Sequence, residues 1–277
     1  MQKLKIFALI GYPIGHTLSP YMHMRAYAKL NISAIYIPLL VEPEKLKETI
    51  NALKRSRIDG FNVTIPFKTA CMKYLDCTDK FASMIGAVNT ISITNNKLTG
   101  HNTDASGFLK ALKQELKFNP KNKSCLVVGA GGAARAVCFA LAKERARKIF
   151  ITDVIKSKAV SLAGNVKKYF PKCEISTTPG EAVDLLVNAT PAGMKKSDKL
   201  PIDAKILQKG LKVYDLVYNQ SPTKLVKKAR QKGLIAQNGL SMLLYQGAEA
   251  FEIWFKKKAP VDAMRKALNK QAKKQLC

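Results

Sequence analysis

Carboxylates are scarce in this sequence: 19 Asp and Glu stand against 47 Lys and Arg, a formal net charge of +28. Such a balance raises the question of nucleic acid. A nucleic-acid reader, however, gathers its cations on one face or arm and interleaves aromatic side chains for stacking. Here the short clusters Lys195-Lys196, Lys227-Lys228, Lys256 to Lys258 and Lys273-Lys274 are scattered along the chain, as solvated lysines on helix surfaces and loops are. What the excess does supply is a positive field that favours encounter with carboxylate or phosphate ligands. Also missing is any apolar run near the roughly 18 residues of a membrane-spanning helix. The apolar stretch Ile6 to Ile10 is too short for a signal core and has no Ala-x-Ala exit, so an unexported cytoplasmic protein is expected. The six cysteines show no C-x-x-C spacing, which argues against a zinc site or a disulfide framework. Internal repeats and low-complexity tracts are lacking too.

What remains is an ordinary globular composition, 47% hydrophobic and 24% charged, in 277 residues, enough for one large domain or two average ones. The first hundred residues alternate in type. Lys5 to Ile10, Ala34 to Leu39 and Gly60 to Ile65 read as strands. Ser19 to about Leu30, with Ser19 as cap and Pro20 at the first position, and Pro43 to Lys54 read as helices, and Pro66 opens another short one. This alternation predicts parallel strands with helices on the sheet faces. Asn89 to Ile93 and Lys97 to His101 follow as a hairpin turning at Asn95-Asn96. After a helix from Asp104 to about Leu116, a second series starts: strands at Cys125 to Val128, Lys148 to Thr152, Leu185 to Asn188 and Leu211 to Tyr214, with a helix at Ala133 to Ala142. Two helices, Leu240 to Phe255 and Val261 to Lys274, close the chain. The fold class expected is α/β, mostly parallel.

Directly after the strand at Cys125 stands GAGGAAR, in which Gly129, Gly131 and Ala134 form G-x-G-x-x-A at the start of a helix. The first glycine allows a tight turn, the second admits a pyrophosphate to the backbone, and the small third residue lets helix and strand pack closely. Amides from Gly129, Ala130, Gly131, Gly132 and Ala133 then face the phosphates. Asp153 ends the next strand, where a carboxylate accepts hydrogen bonds from the ribose of NAD and repels the 2′-phosphate of NADP. Lys156 and Lys158 follow within one helical turn and supply charge of the opposite tendency. The plain alternative is a glycine turn that binds nothing.

Four further segments are polar where strand ends and helix starts need not be: GYPIGHTLSPYMH from Gly11, GFNVTIPFK from Gly60, AVNT with HNTD, and NGLSMLLYQG from Asn238. Singly, Thr17, Ser19, Asn62, Asn89 and Asp104 read as turn or cap residues. As a set of loops beyond strand ends they suggest one shared pocket.

In order and spacing these segments resemble the motifs of the shikimate dehydrogenase family, namely G-x-P-x-x-H-S-x-S-P-x-x-H-N, N-V-T-x-P-F-K, A-V-N-T, N-T-D, GAGGA-x-R and G-x-x-M-L-x-x-Q, over nearly the whole chain. The resemblance implies a substrate domain of residues 1–104 completed by 238–277, an inserted Rossmann domain of 105–237, and substrate held against a nicotinamide in the cleft. It implies that Lys68 is the catalytic lysine and Asp104 its partner carboxylate. Thr17, Ser19 and Tyr218 would bind the substrate carboxylate, and Thr64, Asn89 and Gln246 the ring hydroxyls and carbonyl. Leu216 and Gly239 would lie beside the nicotinamide. The activity implied is reversible reduction of 3-dehydroshikimate to shikimate in the route to aromatic amino acids, with NADP as the family default and NAD favoured by Asp153 and Val154. The chain departs from the motifs at Thr17 for Ser, at Met24 for Asn, and at Asp153 to Lys158 where NADP-using members carry N-R-T-x-x-R. An NAD-dependent quinate/shikimate dehydrogenase of catabolic role is the alternative enzyme. A non-catalytic, basic, nucleic-acid-binding Rossmann protein is the alternative of another class. The partners expected are a small-molecule substrate and a dinucleotide, with no metal, nucleic acid or membrane, in a monomer or homodimer.

Overall fold

A computed structural model describes residues 3–15, 17–180 and 182–274, so His16 of the first motif lies outside the described residues. The chain forms two compact units, one from the chain up to Gly107 together with the chain from Leu243 onward, the other from Phe108–Met242. No helix among the described residues is long and apolar enough to cross a membrane.

The first unit opens as β1 (Lys5–Gly11), α1 (Ser19–Lys29), β2 (Ala34–Leu40), α2 (Leu46–Arg55) and β3 (Gly60–Val63). Strands β1, β2 and β3 pair in parallel, with β1 in the middle. Because β1 is covered on both faces, its pattern is a continuous apolar run. Ala8 and Ile10 point into a core with Ile50, Leu53, Phe61, Val63 and Ile91. Phe7, on the opposite face, stacks on Trp254 at 4.5 Å. A short β4 (Cys77–Thr78) and α3 (Lys80–Ile85) precede the antiparallel pair β5 (Thr90–Thr94) and β6 (Lys97–His101). Asn95 and Asn96 both have positive φ, as a tight hairpin turn requires. The sheet order is β2-β1-β3-β5-β6-β4, and α4 (Asp104–Gln114) follows it.

Two details differ from the sequence expectation. Ser19 is the first residue of α1 and not its cap; Leu18 holds the cap position with no side-chain bond. Pro66 sits in a turn, and the helix after it is a single 3₁₀ stretch at Ala70–Tyr74. Phe67 anchors that turn: its side chain is buried, its N–H reaches the Thr64 carbonyl, and its carbonyl accepts from Cys71.

The second unit contains β7 (Ser124–Val128), α5 (Gly132–Lys143), β8 (Lys148–Thr152), α6 (Lys156–Tyr169), β9 (Glu174–Ser176), β10 (Leu185–Asn188), β11 (Lys212–Asp215), α7 (Lys224–Gln231) and β12 (Ala236–Asn238). All five pairings in its sheet are parallel. The order is β12-β11-β10-β7-β8-β9, the doubly wound arrangement in which the strand order, not the strand direction, reverses between β7 and β10. Helices α8 (Leu240–Phe255) and α9 (Val261–Lys274) end the described chain. In the first unit α9 packs along α1, while Trp254 of α8 donates its indole N–H to the Ile91 carbonyl at 3.0 Å.

Candidate active site

In the first unit the ends of β3 and β6, the start of β5, the start of α4 and the second turn of α8 bring several polar side chains together. Lys68, in the turn after β3, donates from Nζ to Oδ2 of Asp104, the first residue of α4, at 2.6 Å. Both side chains are largely withdrawn from water, at 14% and 5% exposure. The other carboxylate oxygen, Oδ1, accepts from Asn89 Nδ2 at 3.1 Å. The same amide nitrogen lies 2.9 Å from Thr103 Oγ1 and 3.2 Å from Gln246 Oε1. Asn89 Oδ1 in turn accepts from the Thr103 backbone N–H at 2.7 Å. The amide of Asn89 therefore has one orientation that satisfies both ends.

Behind it runs a buried chain that the sequence reading did not assign. Asn62 donates to Thr90 Oγ1 at 2.9 Å and to the Asn89 carbonyl at 3.0 Å, while Tyr36 donates its hydroxyl to Asn62 Oδ1 at 2.7 Å. Asn102 caps α4 by accepting from the Ala105 N–H at 3.2 Å, leaving Asp104 free for Lys68. Ser106 bonds Glu249 of α8. Gly107 packs so closely on α8 that a Cβ there would lie 2.7 Å from the Gln246 nitrogen. A side chain at that position would push Gln246 off Asn89. The only trace of this in sequence is a glycine one turn into a helix, where it costs stability relative to alanine.

Thr64 follows β3 directly and is half-buried, and its N–H donates to the Ile10 carbonyl at 2.9 Å. Thr17 and Ser19 flank the start of α1, with the Ser19 N–H donating to Thr17 Oγ1 at 3.3 Å. All the first-unit candidates, Lys68, Asp104, Thr17, Ser19, Thr64, Asn89 and Gln246, thus lie in one unit.

The glycine turn lies in the second unit. Gly129 has φ of +111°, and a Cβ there would press on the Ala189 carbonyl oxygen at 3.0 Å, so two reasons exclude a side chain. At Gly131 a Cβ would meet nothing within 4 Å. Gly131 holds the cap position of α5 without a side-chain bond, and no acidic residue stands in the first turn. The amides of Gly132 and Ala133 therefore open a helix end whose partial positive charge no acidic residue of its own first turn answers. Asp153, at the end of β8, accepts from the Ala130 N–H at 2.7 Å and from the Ile155 N–H at 2.9 Å. Each of its oxygens keeps a second acceptor position. Open space above Gly131, helix-start amides after β7 beside the switch point and a carboxylate at the end of the neighbouring β8 fit a dinucleotide. Lys156 and Lys158 are exposed in the first turn of α6, and Val154 is fully exposed.

On the far side of the switch point, Leu216 follows β11 and its N–H donates to the Asn188 carbonyl at 2.9 Å. The Gly239 N–H donates to the Val217 carbonyl at 3.1 Å, which holds the start of α8 to this segment. Tyr218 lies two residues after Leu216, and burial raises its phenol to about 12, so it is a neutral donor across the physiological range.

Comparison with known proteins gives this geometry a family. A model described as the shikimate dehydrogenase substrate binding domain matches residues 9–91, and one described as the shikimate 5′-dehydrogenase C-terminal domain matches residues 239–268. A shikimate dehydrogenase (NADP(+)) of Desulforamulus reducens is 40% identical over 98% of this chain and 97% of its own length. A crystal structure of a shikimate dehydrogenase with NADP+ is 39% identical, covers 98% of each chain and has a TM-score of 0.90. A shikimate 5-dehydrogenase of Listeria monocytogenes, crystallised with shikimate and NAD, is 34% identical over 96% of each chain, with a TM-score of 0.84. The chain belongs to the shikimate dehydrogenase family.

Proposed function

We propose that this chain interconverts 3-dehydroshikimate and shikimate, with a nicotinamide dinucleotide as hydride partner. The observation that carries the reading is the Lys68–Asp104 pair, held at 2.6 Å and steadied by Asn89. An ammonium has three N–H donors. One is given to Asp104, so others remain for the ring ketone oxygen, which must gain a proton as its carbon gains hydride. In the oxidative direction the same nitrogen, deprotonated, takes the proton from the hydroxyl. Asp104 keeps the amine in place and offsets its charge. Asn89, Gln246 and Thr64 present neutral donors and acceptors to the ring substituents, and a substrate lacking one hydroxyl leaves such a group unpaired. Thr17, Ser19 and Tyr218 are assigned to the carboxylate.

In the second unit, Gly131, Gly132 and Ala133 would hold the pyrophosphate by backbone N–H groups, with Ala130 and Asp153 shaping the ribose side and Leu216 and Gly239 the nicotinamide side. Bound there, the dinucleotide supplies or accepts the hydride. Supplying shikimate with NAD or NADP should generate the absorbance of the reduced nicotinamide; a folded preparation that gives none with either would contradict the reading.

For the choice of dinucleotide, the carboxylate of Asp153 and the absence of a guanidinium at Val154 favour NAD. Relatives named for NADP(+) and a relative crystallised with NAD both occur in the family. We expect kcat/KM with NAD to equal or exceed that with NADP. Because Val154 is fully exposed, Val154→Arg should cost little stability. A charge-assisted bond to the 2′-phosphate is worth about 1.5–3 kcal/mol, which raises kcat/KM for NADP about tenfold to a hundredfold. An unmodified enzyme that already prefers NADP more than tenfold would overturn this assignment and hand the role to Lys156 and Lys158.

A further inference from the structure

Asp215 is a fully buried carboxylate for which the chemistry above has no use. It is the last residue of β11. Three groups from three places donate to it: Thr223 Oγ1 at 2.6 Å, Asn188 Nδ2 at 2.8 Å and the Val217 backbone N–H at 3.1 Å. Asn188 ends the neighbouring strand β10, and its side chain makes three further bonds. Its Oδ1 accepts from the Thr190 hydroxyl at 2.7 Å and from the Thr190 backbone N–H at 3.1 Å, and its Nδ2 also donates to the Ala192 carbonyl at 3.0 Å. Thr223 caps α7, accepting from the Val226 N–H at 3.2 Å. A single carboxylate thus ties two strand ends and one helix start together. The loop between Asp215 and Thr223 has both its ends fixed at that point, and Leu216 and Tyr218 lie in it.

Stability alone is a poor reason for this group. Burial raises its pKa to about 6, and the three hydrogen bonds only partly offset the rise. A buried charge without a cation is costly compared with a neutral or apolar replacement. Two of its three partners, the Asn188 amide and the Val217 N–H, can only donate. An amide at the same place keeps them only by turning its NH₂ to Thr223, whose hydroxyl then has to accept and loses its own acceptor.

We infer that Asp215 is a positioning residue: it holds the segment Leu216 to Tyr218 in the conformation that presents Tyr218 to the substrate carboxylate. This rests on the role proposed for Tyr218. Carboxylate binding is the same in ground and transition states, so its loss appears in KM and not in kcat.

The test compares the unmodified enzyme with Asp215→Asn, Thr223→Val and Thr223→Ser, by steady-state kinetics with shikimate and by hydrogen exchange at the Val217 amide. Asp215→Asn and Thr223→Val should raise KM for shikimate about tenfold with kcat within about threefold, and should speed exchange at Val217. Thr223→Ser, which keeps the hydroxyl, should behave as the unmodified enzyme. Unchanged KM and unchanged exchange in both disruptive variants would overturn the inference. So would parallel losses of kcat, KM and thermal stability that Thr223→Ser fails to restore. If the unmodified enzyme does not oxidise shikimate, the functional reading falls, and exchange at Val217 alone still decides whether Asp215 holds the segment.

Discussion

Replacing Lys68 with methionine should lower kcat by about a hundredfold to ten-thousandfold, the range supplied by a positioned proton donor. Methionine keeps much of the stem volume and removes the amine. Because the contacts proposed for Asn89, Gln246 and Thr64 with the ring and for Thr17, Ser19 and Tyr218 with the carboxylate remain, the dissociation constant for shikimate should move by no more than about tenfold. Asp104→Asn should also slow turnover. The amide still reaches Lys68, but with an oxygen that carries no full charge, and the bond from Asn89 then competes for the same acceptor. Measuring kcat and shikimate affinity on one preparation separates the two effects. A Lys68→Met enzyme with kcat within about twofold of the unmodified one would remove the residue from the chemistry.

The other large effect concerns stability in acid. His23 lies on α1 with no solvent exposure, stacked on Tyr36 at 4.4 Å. Among the described residues, neither ring nitrogen has a hydrogen-bond partner. Burial lowers its pKa from 6.5 to about 3. The unfolded chain therefore binds the proton more tightly than the folded one. Stability is complete above about pH 6.5 and falls as pH drops toward about 3. At about 1.4 kcal/mol per pH unit, this group alone removes about 3 kcal/mol by about pH 4. His23→Phe keeps a ring against Tyr36 and has nothing to titrate. Its denaturant midpoint should lie near that of the unmodified chain at neutral pH and above it at about pH 4. Equal losses in the two proteins on acidification would show that the imidazole is not the group responsible.

The elements that were legible in sequence are the ones buried on both faces. Lys148–Thr152 and Leu185–Asn188 are strands as read, because central parallel strands are short apolar runs between turns. The closing helices Leu240–Phe255 and Val261–Lys274 were equally plain. The edge strands Cys77–Thr78, Glu174–Ser176 and Ala236–Asn238 were not, since two or three residues with one partner carry no period. Helix α7 hid behind its charge: KLVKKARQ buries only Leu225, Val226 and Ala229. In the candidate site, Lys68 and Asp104 are reached only through the resemblance of their motifs; taken singly, Asp104 reads as a cap. The bond joining Asn89 to Gln246 spans 157 positions and leaves no local mark. Nor does spacing disclose that Asn102, and not Asp104, caps α4, or that Asp215, an ordinary strand-end residue in sequence, is a three-donor junction.

A double-mutant cycle on kcat, using Lys68→Met, Asp104→Asn and both together, bears most directly on whether the amine and the carboxylate act as one device. If Asp104 works through the amine, the doubly substituted enzyme should turn over within about threefold of Lys68→Met alone, because removing the carboxylate has nothing left to act on. Losses that multiply across the cycle would mean that the two residues contribute independently, and the proton path assigned to the pair would be wrong.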